Sequence, residues 1–149
     1  MGIIQGVSAS PGMAHGKAVV YTPPDLSFEA RTIENAEAEK RRLSDAVERS
    51  IAELVRLKER VLAEMGEEFA HIFRSQQTIL EDDSIIGEVQ EKISDDSWCA
   101  EEGVRQVFQI YLKMFEELGD DDYNKARMAD LDDVHKRLLR NLLGKEEVD

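Results

Sequence analysis

Residues 6–17, GVSASPGMAHGK, bring three glycines, a proline and a lysine into twelve positions, the composition of a loop that cradles a phosphate. A P-loop requires G-x-x-x-x-G-K-[ST], so that backbone N–H groups wrap the phosphates and a hydroxyl reaches Mg²⁺. Here Pro11 stands where the first glycine belongs, and Ala18 follows Lys17 where Ser or Thr belongs. A dinucleotide fingerprint needs G-x-G-x-x-G opening a helix whose N-terminal amides face the anion. Gly6, Gly12 and Gly16 have other spacings, and Ala18–Tyr21 reads as a strand. Both nucleotide chemistries are therefore excluded, and the stretch reads as turns beside a strand.

Other candidates for chemistry are sparse. Cys99 stands at the start of a helical segment, where the dipole favours a thiolate, but Asp95, Asp96, Glu101 and Glu102 oppose it. It reads as a residue at a cap, and as the lone cysteine it forms no internal disulfide, which fits a reducing cytoplasm. His15, His71 and His135 are far apart, no Cys/His cluster has metal-ligand spacing, and no pair of carboxylates is placed across a cleft by spacing alone. The expected catalytic and metal-ligating sets are both empty.

Charge is more informative. The net charge of −13 disfavours a nucleic-acid partner. Between Glu64 and Asp133 stand 20 Asp and Glu against 6 Lys and Arg, while the rest of the chain is near neutral. An acidic stretch is either a solubilising surface or a docking face for a basic protein. No run of 18 apolar residues suggests a membrane span, and the N-terminus lacks a signal-peptide core.

The elements that must position any site are helical. Residues 1–24 hold four of the nine glycines and all three prolines, with short strands expected at Ile3–Ile4 and Ala18–Tyr21. A first helix is predicted over 33–65 from Leu43, Val47, Ile51, Leu54, Val61 and Met65, with Gly66 as its stop. Its heptad-like stripe also suggests a coiled-coil hairpin or self-association. Further helices are predicted over 67–80 (apolar through Phe69, Ile72, Phe73, Ile79 and Leu80), 85–93, 100–118 (a stripe of Val104, Val107, Phe108, Tyr111, Met114, Phe115 and Leu118) and 122–143 (buried through Met128, Leu131, Val134, Leu138 and Leu142), with a turn at 94–97. The short links favour an antiparallel bundle. The fold class is mainly α, an antiparallel helical bundle with a short N-terminal β segment and a charged tail at 145–149.

Three segments carry a resemblance. Gly6–Ala18 is similar to G-x-x-x-S-P-G-x-A-x-G-x-A, the opening of enzyme I of the bacterial phosphotransferase system. Ile72-Phe73 with Leu80-Glu81-Asp82 resembles that family's I-F-x-x-H-x-x-x-L-x-D. Lys125–Asp130, Asp133 and Lys136–Gly144 resemble K-E-R-x-x-D-x-x-D-x-x-K-R-L-L-x-x-L-L-G. The matches run in order over nearly the whole chain.

The resemblance implies a helical domain, here 25–144, inserted into a phosphohistidine α/β domain begun by residues 1–24. The helical domain docks the phosphocarrier HPr. The parent is a cytoplasmic phosphoenolpyruvate–protein phosphotransferase. It passes a phosphoryl group through its own histidine to HPr, with phosphoenolpyruvate and Mg²⁺ bound in a C-terminal barrel. The sequence has neither the T-S-H context of that histidine nor the barrel, so it is expected to be an N-terminal fragment, inactive alone and without a cofactor of its own. Its expected partners are HPr or an HPr-like carrier and the rest of the parent chain. Family positions map the docking face onto Glu67, Glu68, His71, Ser75, Gln76, Thr78, Ile79, Asp82, Asp83 and Arg127. Two departures, Gln76 in place of the segment's histidine and the cation Arg74, leave a paralogous branch open: the nitrogen-related phosphotransferase or the phosphoryl donor of a dihydroxyacetone kinase.

Overall fold

The computed structural model describes residues 25–145, which form five α-helices. The first, α1 (Ala36–Met65), begins where the Asn35 side chain accepts from the Ala38 N–H at 3.0 Å, with Glu37 and Glu39 in the first turn against the helix dipole. At 30 residues it is about 45 Å long at 1.5 Å per residue. It stops at Gly66, whose φ of 95° disfavours other residues and whose N–H bonds back to the Val61 and Leu62 carbonyls.

One residue separates α1 from α2 (Glu67–Leu80). Leu62 and Ala70 line one hollow, and Lys58 reaches Gln77 at 3.3 Å, so α2 runs back antiparallel along α1. Asp82 then caps α3 (Asp83–Asp96) by accepting from the Ser84 N–H at 2.8 Å. The expected turn at 94–97 is mostly helix: α3 continues to Asp96 and ends on Ser97 in the left-handed region. The first helix likewise starts at Ala36 rather than Ile33, because the backbone of 31–33 pairs elsewhere. Ile33 N–H donates to the Ser97 carbonyl at 2.9 Å and Cys99 N–H to the Arg31 carbonyl at 3.1 Å, with an antiparallel bridge between Thr32 and Trp98. The strands expected at Ile3–Ile4 and Ala18–Tyr21 lie outside the described residues.

The N-terminus of α4 (Ala100–Leu118) is capped from another helix. Cys99 occupies the N-cap position without a side-chain bond, and the Glu39 carboxylate of α1 instead accepts from the Ala100 N–H at 2.7 Å. The same carboxylate accepts from Arg42 at 2.9 Å, while Arg42 pairs with Glu101 and donates to the Leu142 carbonyl at 2.8 Å. This network ties α1, α4 and the end of α5 (Asp122–Leu142) together. A second network joins the middle of α1 to α5: Glu53 accepts from Arg137, Arg140 and Asn141. Asn141 also donates to Ser50 at 2.9 Å.

The apolar core lies between these ties, with Leu43, Leu54, Val89, Val104, Phe108 and Leu138 among its fully buried members. Because Leu43 and Leu54 are consumed inside one chain, the α1 stripe does not require a second copy. Two expectations of burial fail. Met65 of α1 and Phe69 and Ile72 of α2 are about half exposed, at the hairpin tip where α1 and α2 have only each other to pack against. Met114 and Leu118 of α4 are also exposed.

Candidate docking site

The exposed end of the α4 stripe opens onto a groove of about 230 Å³. Tyr111, Met114 and Phe115 recur at steps of three and four on α4 and form one wall. Thr78 and Ile79 of α2 with Ile85 of α3 face them, and Arg127 and Leu131 stand four apart on α5. Asp82 sits at the mouth because the α2–α3 turn is there, so one carboxylate both caps α3 and charges the rim. Leu131 and Ile79 are buried floor residues, and Met114 is rim. Burial, with the negative fields of Glu88 and Asp82, holds the Tyr111 phenol above its ordinary pKa, so it stays a protonated donor beside the groove.

Of the residues expected on a docking face, Thr78, Ile79, Asp82 and Arg127 meet at this groove. Glu67 and His71 line a shallower hollow of about 220 Å³ at the α1–α2 tip, with Lys58, Leu62, Ala70 and Arg74. Glu68 and Asp83 are exposed in the first turns of α2 and α3, and Ser75 is half-buried. Gln76 departs from the expectation: it is 4% exposed, and its amide lies between α2 and α5, donating to Asp130 at 3.4 Å and Asp133 at 3.2 Å. Gln76 precedes Thr78 and Ile79 by two and three residues on α2, but its amide is turned to acceptors that α5 supplies.

Tyr111, Met114, Phe115 and Leu131 are groove residues that periodicity assigns to the core. The period marks which face is apolar, not where the neighbouring helix ends and leaves that face open.

Among the described residues no group of three or more His, Cys, Asp or Glu is placed to hold a metal, and Cys99 is buried. His135 stacks on Phe108 with ring centroids 5.5 Å apart, and its burial lowers its pKa despite the nearby Asp132. The abundant carboxylates inside the domain are already matched with arginines.

The described residues thus form a helical domain with an open apolar groove, a carboxylate at its mouth and an arginine on its wall. The chain belongs to the family described as PEP-utilising enzyme, N-terminal, which it matches over residues 5–127. It is 40% identical over 143 residues to the phosphoenolpyruvate-protein phosphotransferase of Bacillus subtilis (strain 168), covering 96% of this chain and 25% of that protein. The protein of the same name from Enterococcus faecalis (strain ATCC 700802 / V583) is 36% identical over 142 residues, covering 95% and 25%. The chain thus spans about a quarter of the length of these relatives. Its fold is similar to the solution structure of Enzyme I (nEIt), with a TM-score of 0.87 and 34% identity over 99% of this chain and 60% of that one. It is also similar to the N-terminal domain of Enzyme 1 - Nitrogen, with a TM-score of 0.73 and 26% identity over 87% and 53%. No helix among the described residues is long and apolar enough to cross a membrane.

Proposed function

We propose that this chain is the docking domain of a phosphoenolpyruvate–protein phosphotransferase and that it receives an HPr-type phosphocarrier in the groove between α2, α3, α4 and α5. The observation that carries the proposal is the groove itself: an apolar floor of Ile79, Ile85 and Leu131, a mouth charged by Asp82, and Arg127 at the wall. A carrier with basic residues around an apolar patch matches it. The charges steer and orient the encounter, while apolar contact supplies much of the affinity. Phosphoryl transfer from phosphoenolpyruvate is assigned to other parts of the parent protein. No group of His, Cys, Asp or Glu among the described residues fits Mg²⁺.

The test is an NMR titration of the ¹⁵N-labelled domain with unlabelled HPr. Shifts are expected at Thr78–Ile85, Tyr111–Phe115 and Arg127, with affinity falling as salt rises. A cognate HPr that moves no resonance on this face at low ionic strength refutes the assignment. The nitrogen-related fold similarity makes a second carrier class a useful competitor. Tighter binding of a nitrogen-branch carrier would move the protein to that branch while leaving the groove as the site.

A further inference from the structure

We infer that Gln76 is a positioning residue for the groove: acting through Asp130, it holds the Arg127 guanidinium in place at the groove wall. A buried amide needs acceptors for its N–H groups. Gln76 Nε2 finds two, Asp130 Oδ1 at 3.4 Å and Asp133 Oδ2 at 3.2 Å, both on α5. These two carboxylates are three residues apart on one helix face and repel each other. A neutral donor between them draws both toward α2.

The other oxygen of Asp130 accepts from Arg127 Nη2 at 2.5 Å. One carboxylate therefore links the amide behind it to the guanidinium in front, and Arg127 lines the groove. An i,i+3 ion pair on an open helix surface is mobile and contributes little. This one differs because the Asp130 side chain is only 14% exposed and is engaged from the α2 side, whereas the Arg127 side chain is 28% exposed. The guanidinium has five N–H donors, and those not used by Asp130 remain for an acceptor on a docked protein. Holding the fork in advance spares the complex the ordering of a long side chain.

The inference rests on the docking reading of the groove, and two readouts separate their fates. In the free domain, the Arg127 Nε–Hε resonance reports guanidinium order. Gln76→Leu, which keeps the volume and removes the donors, is expected to broaden or shift that resonance and to weaken HPr binding about 3- to 10-fold. Gln76→His, which restores a ring N–H of similar reach, is expected to recover both. In an Arg127→Ala background, Gln76→Leu should change HPr affinity by less than about twofold, as residues acting through one unit do. Gln76→Met, which also lacks the amide donors but has a more adaptable chain, provides the same test if Gln76→Leu does not fold. An unchanged Arg127 resonance in Gln76→Leu, or equal loss of affinity with and without Arg127, overturns the inference. Failure of the native domain to bind HPr would refute the docking reading, while the Arg127 resonance would still decide the Gln76 link.

Discussion

Glu53→Ala is expected to cost the domain about 3–5 kcal/mol, the usual effect of removing one member of a buried ion pair. Glu53 is 8% exposed, and its carboxylate accepts from Arg137 at 2.7 Å, from Arg140, and from Asn141 at 3.3 Å. The Arg140 side chain is itself only 8% exposed, so truncation strands a cation where water has little access. Alanine is the better helix former, so helix propensity opposes the loss rather than causing it. With a urea m-value of roughly 2 kcal/mol/M, the unfolding midpoint should fall by about 1.5–2.5 M, read by circular dichroism at 222 nm. Glu48→Ala, on the exposed face of the same helix, should stay within about 0.5 kcal/mol of the native protein. Glu53→Ala with Arg140→Met should recover part of the loss, because the stranded charge goes with it. A midpoint shift below about 0.5 M for Glu53→Ala, at unchanged m, would refute the assignment of stability to this network. The same network has an acid limit. Burial pushes the Glu53 carboxyl up, but hydrogen bonds from Arg140 and Arg137 outweigh it and hold the folded pKa below its ordinary 4.5. Its contribution is therefore complete above that pH and is lost as pH falls through the folded value.

Three further outcomes are expected. Burial lowers the His135 pKa below its ordinary 6.5, with Asp132 offsetting only part, so the folded domain disfavours the proton. Stability should decline as pH falls below 6.5, and His135→Phe should flatten that slope in urea melts at pH 7 and pH 5.5. Gly87→Ala should stabilise α3 by about 1 kcal/mol, because an added methyl meets nothing within 4 Å. Gly103→Ala should lack this gain, because its methyl would lie 3.2 Å from Cγ1 of the fully buried Val89; equal thermal shifts for the two variants would contradict the packing. Asp82→Asn keeps a good helix cap while removing the charge at the groove mouth. It should leave the melting temperature nearly unchanged and reduce both HPr affinity and its salt dependence. A stability loss without an affinity change would place Asp82 in the fold alone.

Much of the helical order is legible residue by residue. Gly66 ends α1, Asp82 and Asp121 accept from the first turns of α3 and α5, and the Leu43–Leu54 spacing marks a buried face. These are local matters of backbone freedom, capping oxygens and a 3.6-residue period, which a linear chain states directly. The acidic bias of residues 64–133 and the three family segments likewise need no coordinates to be read.

What the chain in one dimension could not state is where an apolar face runs out of neighbours. Phe69 and Met114 belong to the same periodic stripes as buried residues, yet both are exposed because no adjoining helix covers them. Nor does spacing reveal that Glu39 caps a helix 61 residues away, or that Gln76 turns from the surface to meet Asp130 and Asp133. Those bonds depend on which helices lie side by side. Sequence alone determined the helices, their polarity and their kinship; tertiary packing decided which carboxylates are consumed within the fold and which remain at the groove, because a charge is available to a partner only where no neighbouring helix has already neutralised it.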